Sequence, residues 1–112
     1  MPPTRATPLP DLVTSALSRI GADIALARKR RGLTQARLAT IADITLPSLR
    51  AIERGKPTTG IGLYLTVLWA LGLEQEFVNL VDASRDRVGL TLDAARAPQR
   101  VRAPHSGLDD DF

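Results

Sequence analysis

The sequence predicts an all-α fold of five helices, and three observations carry that expectation. Apolar residues make up 44% of the chain and aromatics only 4%, so a core must be built from Leu, Ile, Val and Ala, a palette suited to helices. Apolar positions recur at steps of three and four through much of the chain. Gly, Thr and Pro separate these periodic stretches at positions where helices start and stop. The 112 residues suffice for one hydrophobic core. They divide into a flexible arm over 1–10, a helical domain over 11–81 and an extension over 82–112 that ends in a disordered acidic tail.

The arm carries four prolines and almost no periodicity. Asp11 is placed to cap the first helix, whose stripe is Leu12, Val13, Ala16, Leu17, Ile20, Ile24 and Ala27 and whose end lies near Gly32. Arg28 to Arg31 fall in its last turn, where cations complement the helix dipole. Thr34 caps a short second helix from Gln35 to about Ala42, with Leu38, Ala39 and Ala42 inward. After the tight connection Asp43-Ile44, Thr45 caps a third helix through Arg54. Pro47 sits in its first turn, where a missing N–H costs nothing, and Gly55-Lys56-Pro57 stops it. The fourth helix runs from about Ile61 to Leu71 with Ile61, Leu65 and Leu68 on one face and Gly72 as terminator. A short fifth spans Glu74 to Val81, with Phe77, Leu80 and Val81 apolar. Beyond it, Val88, Leu90 and Leu92 alternate as in a short strand, while Asp93 to Arg96 fit a helical turn equally well.

Composition excludes several classes of function. Without cysteine there is no disulfide framework, thiolate metal site or cysteine nucleophile. His105 is the only histidine and sits in a Pro/Gly-flanked tail, so neither a histidine metal site nor a catalytic triad can be assembled. Glu74 and Glu76 lack a glycine-rich loop, a base or metal ligands nearby and read as a solvated helix start. The expectation is a non-enzyme without metal or cofactor. No signal-peptide stretch follows Met1 and no segment is long enough to span a bilayer, which points to a cytoplasmic protein with no membrane partner. Charge is divided unevenly: residues 1–56 hold ten Lys/Arg against four Asp/Glu, and residues 57–112 hold five against eight. The first half is suited to a polyanion, the second to something else.

The informative constellation is Gly32-Leu33-Thr34-Gln35-Ala36-Arg37-Leu38-Ala39, then Ile44-Thr45, then Leu49-Arg50-Ala51-Ile52-Glu53-Arg54-Gly55. Two short helices joined by so few residues cross steeply and rest on the first, which is the helix-turn-helix arrangement. Small Ala39 allows close approach, and Ile44, Leu49 and Ile52 turn the third helix toward the core. Helical geometry then leaves Pro47, Arg50, Ala51 and Arg54 outward, on a helix that fits a DNA major groove.

These residues resemble the Xre/Cro type of helix-turn-helix regulator, a lambda-repressor-like fold, over roughly Ile20 to Leu73; the run Ile52-Glu53-Arg54-Gly55 is intact. The resemblance implies that Gln35 holds a DNA phosphate from the start of the second helix and that Thr45 caps the recognition helix. Leu46, Pro47, Arg50 and Ala51 take its usual reading positions. Two normally polar positions are apolar here, so readout falls mainly to Arg50, helped by Ser48 and by Leu46 against a thymine methyl. Thr34, Gln35, Arg37, Thr45, Arg54 and Lys56 are then the phosphate-side candidates. The resemblance also implies a partly buried ion pair between Arg28 and Glu53.

The stretch Tyr64 to Leu73, the acidic fifth helix, Asp86 to Leu90 and Pro98 to Arg102 are similar to the HipB-like antitoxins. That similarity implies a homodimeric repressor on a pseudo-palindromic double-stranded DNA operator that also holds a HipA-like serine/threonine kinase toxin inactive. Phe77, Leu80, Val88, Leu90 and Leu92 are the candidate dimer or partner residues, the last three by pairing two copies as a small sheet. Other readings stand beside these. Arg28 to Arg31 can be a solvated helix end, Trp69 and Phe77 are more often core than interface, His105 is an idle tail residue, and Asp109 to Asp111 can be a solubility tail. A freestanding regulator without a toxin, or a protein adaptor on the same scaffold, are the alternative functions.

Overall fold

Residues 8–96 are described in the computed structural model. Helix α1 (Asp11–Arg30), α2 (Gln35–Ala42), α3 (Leu46–Glu53), α4 (Ile61–Leu71) and α5 (Glu74–Leu80) follow in order, and a 3-10 turn (Ala83–Arg85) leads into α6 (Arg87–Arg96). There is no strand among the described residues, and the alternating Val88, Leu90 and Leu92 lie on α6. The sheet-like pairing of two copies through these residues is therefore corrected. Local chemistry decides the point: Asp86 accepts hydrogen bonds from the Gly89 N–H on its side chain and from the Leu90 N–H on its carbonyl, both at 2.9 Å, and so starts a helix. Three alternating apolar residues do not outweigh that start. A sixth helix is thus added to the expected five. His105 and Asp109 to Asp111 lie outside the described residues.

The chain divides into two compact units between Phe77 and Val78, inside α5. In the first, one core joins Ile24 of α1, Leu38 and Ala39 of α2, Leu49 and Ile52 of α3, and Tyr64, Val67 and Leu71 of α4. α1 is capped by Pro10 and not by Asp11, which occupies its first turn, where a carboxylate still favours the positive end of the dipole. The inward row of α1 is Leu17, Gly21, Ile24 and Arg28, the last three buried; Leu12 and Val13 lie in the turn before this row and Ile20 is rotated off it, so all three are exposed. α4 buries Tyr64, Val67 and Leu71 in place of the expected face, leaving Ile61 63% exposed and Trp69 59% exposed. That helix is apolar all round, so its pattern holds no information about which side turns inward.

α1, α2, α3 and α4 each end in the same turn. A residue at positive φ follows the helix, and the next N–H reaches back to the carbonyl five residues earlier, as from Leu33 to Arg28, Ile44 to Ala39, Lys56 to Ala51 and Leu73 to Leu68. Gly55 combines this conformation, φ 73°, with a close approach: a Cβ there would lie 2.6 Å from the Leu17 carbonyl oxygen of α1. Gly21 makes the reciprocal approach, where a Cβ would lie 2.6 Å from the carbonyl oxygens of Ile52 and Glu53. Two glycines thus let α1 cross the end of α3 backbone against backbone, fixing the axis from which α3 projects.

Candidate nucleic-acid interface

Each helix of the α2–α3 pair starts on a threonine. Thr34 Oγ1 accepts the Arg37 N–H at 3.0 Å, and Thr45 Oγ1 accepts the Ser48 N–H at 3.2 Å while donating to Ser48 Oγ at 2.8 Å. Pro47 in the first turn of α3 pre-sets φ without losing a hydrogen bond the helix would use. Between them Asp43 turns the chain at φ 57° and Ile44 tucks against the core. α3 is anchored by Leu49 and Ile52, both fully buried. Its opposite side presents Pro47 and Arg50 to solvent, with Leu46, Ser48 and Ala51 half-buried on the flanks. Arg54 and Lys56 continue the exposed side beyond the helix, and Thr34 and Arg37 are exposed at the start of α2. Among the described residues none of Arg37, Arg50, Arg54 or Lys56 meets a carboxylate within ion-pair distance, so their charge is available to a ligand.

Beneath this surface lies a charged cluster. Arg28 is 8% exposed, and its Nε donates to Glu53 Oε2 at 2.7 Å and its Nη2 to Glu53 Oε1 at 3.0 Å, a two-pronged pair. Its remaining Nη1 donates to the Leu33 carbonyl at 2.9 Å, tying the α1–α2 turn to the same guanidinium. Gln35 Nε2 donates to Glu53 Oε1 at 2.9 Å. The Glu53 carboxyl is pushed upward by burial, but the hydrogen bonds from Arg28 and Gln35 and the charges of Arg28 and Lys29 outweigh this and hold it below the ordinary glutamate value. The hydrogen bond to Glu53 raises the Arg28 pKa against the opposing effect of burial.

Sequence reasoning did not anticipate the Gln35–Glu53 bond, since it joins two helices 18 positions apart and no local pattern encodes it. Gly21 was also missed, since an isolated glycine inside a helical pattern shows in the sequence only as a locally weaker helix, and its close approach to α3 exists only once the helices have crossed. Phe77 is half-buried, and Leu80, Val88, Leu90 and Leu92 are exposed. Among the described residues no group of three His, Asp or Glu could hold a metal ion, and no helix is long and apolar enough to cross a membrane.

A helix-turn-helix family model matches residues 24–63, a span that holds the whole α2–α3 pair and the Arg28–Glu53 cluster. An uncharacterized HTH-type transcriptional regulator of Sinorhizobium fredii is 43% identical over 53 residues, covering 47% of this chain and 70% of that protein. No solved structure matches the chain. Matched family, all-helical fold and an anchored helix with a charged outer side agree: the chain belongs to the helix-turn-helix family of transcriptional regulators.

Proposed function

We propose that this chain is a sequence-specific repressor that binds double-stranded DNA as a homodimer, one α3 in each of two successive major grooves. The observation that carries the reading is the outer side of α3, where Arg50 stands exposed and, among the described residues, without a carboxylate partner, above a helix locked by Leu49 and Ile52. Arg50 reads a base edge, guanine O6 and N7 being the bidentate match, with Ser48, Pro47 and Ala51 beside it and Leu46 against a thymine methyl. Thr34, Gln35, Arg37, Thr45, Arg54 and Lys56 hold the phosphates on either side. The excess of ten Lys/Arg over four Asp/Glu in residues 1–56 supports a polyanionic ligand for this half. Repression follows if the bound operator overlaps a promoter.

The second reading, an antitoxin that holds a HipA-like kinase inactive, is favoured by the acidic balance of residues 57–112, five Lys/Arg against eight Asp/Glu. Selection from a random duplex pool tests the first reading. Enrichment of inverted repeats with half-site centres about one helical turn apart, or a multiple of it, is expected; enrichment of single half-sites without symmetry contradicts it. Copurification of a kinase with the full chain from its native host tests the second, and its absence leaves a freestanding regulator.

A further inference from the structure

The dimer needs a surface that can meet its own copy, and we infer that the outer face of α4 is that surface. Residues 57–73 contain no Asp, Glu, Lys, Arg or His, so α4 is uncharged along its whole length and on every side. With Tyr64, Val67 and Leu71 turned into the core, helical geometry places Gly62, Leu65, Thr66 and Trp69 opposite, with Ile61 at the edge. Trp69 and Ile61 are more than half exposed. Thr66, half-buried like Leu65, is the only polar side chain on this face, and its hydroxyl is satisfied within the helix by donating to the Gly62 carbonyl at 2.8 Å. A Cβ at Gly62 would meet nothing within 4 Å, so the face offers a notch where a second helix can come close. An apolar helix face of this kind normally lies against another element.

Charge selects the occupant. A two-fold contact sets each side chain near its own copy, so a face carrying one sign of charge repels itself. The α2–α3 side is basic through Arg37, Arg50 and Arg54, the end of α1 is basic through Lys29 to Arg31, and α5 opens with Glu74 and Glu76. The exposed apolar residues of α1 are interleaved with Asp11, Arg19 and Asp23. Among the described residues α4 is the one helix that carries no charged side chain, so it can face itself without like charges meeting, and it offers nothing to a polyanion. One helix face is small against the roughly 800 Å² per partner of a standard interface, so the free dimer is weak and is completed on DNA, where paired half-sites hold two copies together.

Trp69 is the only tryptophan, so its emission reports on this face directly. The inference rests on the preceding reading only for the need of a dimer, and the two are tested separately. Sedimentation equilibrium and Trp69 emission are followed on the full chain from micromolar to millimolar concentration, alongside Ile61→Glu and Trp69→Glu, with helical content checked by circular dichroism. The expected result is that mass rises toward the dimer while emission shifts to the blue along the same curve. Both variants stay folded and dimerise at least about tenfold more weakly, and Ile61→Glu keeps a red emission throughout. A dimer with unmoved emission puts the interface elsewhere. A monomer at every concentration removes it, and emission that is blue at the lowest concentration means the face is covered within one chain; each overturns the inference. Binding to an arbitrary duplex at low salt is measured on the same samples: its loss in wild type would refute the DNA reading and leave the dimer surface standing, whereas its retention in Ile61→Glu shows that only self-association was lost.

Discussion

Arg28 and Glu53 bring two charges beneath the surface of a small domain, a placement that stabilises only while both are present and fully hydrogen-bonded. Arg28 also binds the Leu33 carbonyl and Glu53 also receives Gln35, so the pair joins the ends of α1 and α3 to the start of α2. Glu53→Ala leaves a guanidinium uncompensated and should cost about 3–5 kcal/mol in urea unfolding. A double-mutant cycle with Arg28→Ala that shows no coupling would contradict this account. The pH dependence follows from the lowered pKa of Glu53. A carboxyl that is more acidic in the folded state stabilises fully above its unfolded value of about 4.3, and that contribution is lost as pH falls through the lower folded value. Wild type should therefore lose more stability than Glu53→Gln between neutrality and about pH 3, as measured by unfolding at both. Asp43 presents the opposite case, a non-glycine residue at φ 57° whose carboxylate sits at the negative end of the α2 dipole. Asp43→Gly should stabilise the domain by about 1 kcal/mol, visible as a higher melting temperature; an unchanged or lower one would show that the aspartate is held by a contact the turn needs.

Among the elements, the α1–α3 crossing sets where the reading helix points. With carbonyl oxygens of Ile52 and Glu53 2.6 Å from a Cβ at position 21, Gly21→Ala must push the helices apart or break the crossing, at about 1–3 kcal/mol. Thermal unfolding of this variant checks the value, and wild-type stability would mean that α1 shifts freely along α3. How much of this was legible in the sequence differs between elements. α2 and α3 were readable because Thr34 and Thr45 start them while the Asp43-Ile44 connection and Gly55-Lys56-Pro57 end them, all within a few positions. α4 was readable as a helix but not in orientation, since periodicity marks a face only when polar residues oppose it. α6 was ambiguous because its apolar residues alternate, and the decisive signal was the single side chain of Asp86. Which row of α1 turns inward depends on its neighbours, which its own stripe does not contain.

Across the whole molecule, the proposed function is divided between a basic face on α3 and an uncharged one on α4. The sequence disclosed the basic face, because charge is counted residue by residue and the outward positions of α3 follow from its buried ones. It did not disclose that Gln35, a phosphate-side candidate, is also held by Glu53, because that contact exists only once α2 and α3 have crossed. We propose that α3 reads bases through Arg50 while the cations around it hold the backbone. It is tested most directly by measuring the binding of Arg50→Ala and Lys56→Ala to the selected site and to random duplex over a range of salt. Arg50→Ala should lose about 1–3 kcal/mol on the selected site, with discrimination relaxed at one position of each half-site. Lys56→Ala should weaken all sequences alike and reduce the salt slope by about one. Equal losses on selected and random DNA for Arg50→Ala would contradict the claim.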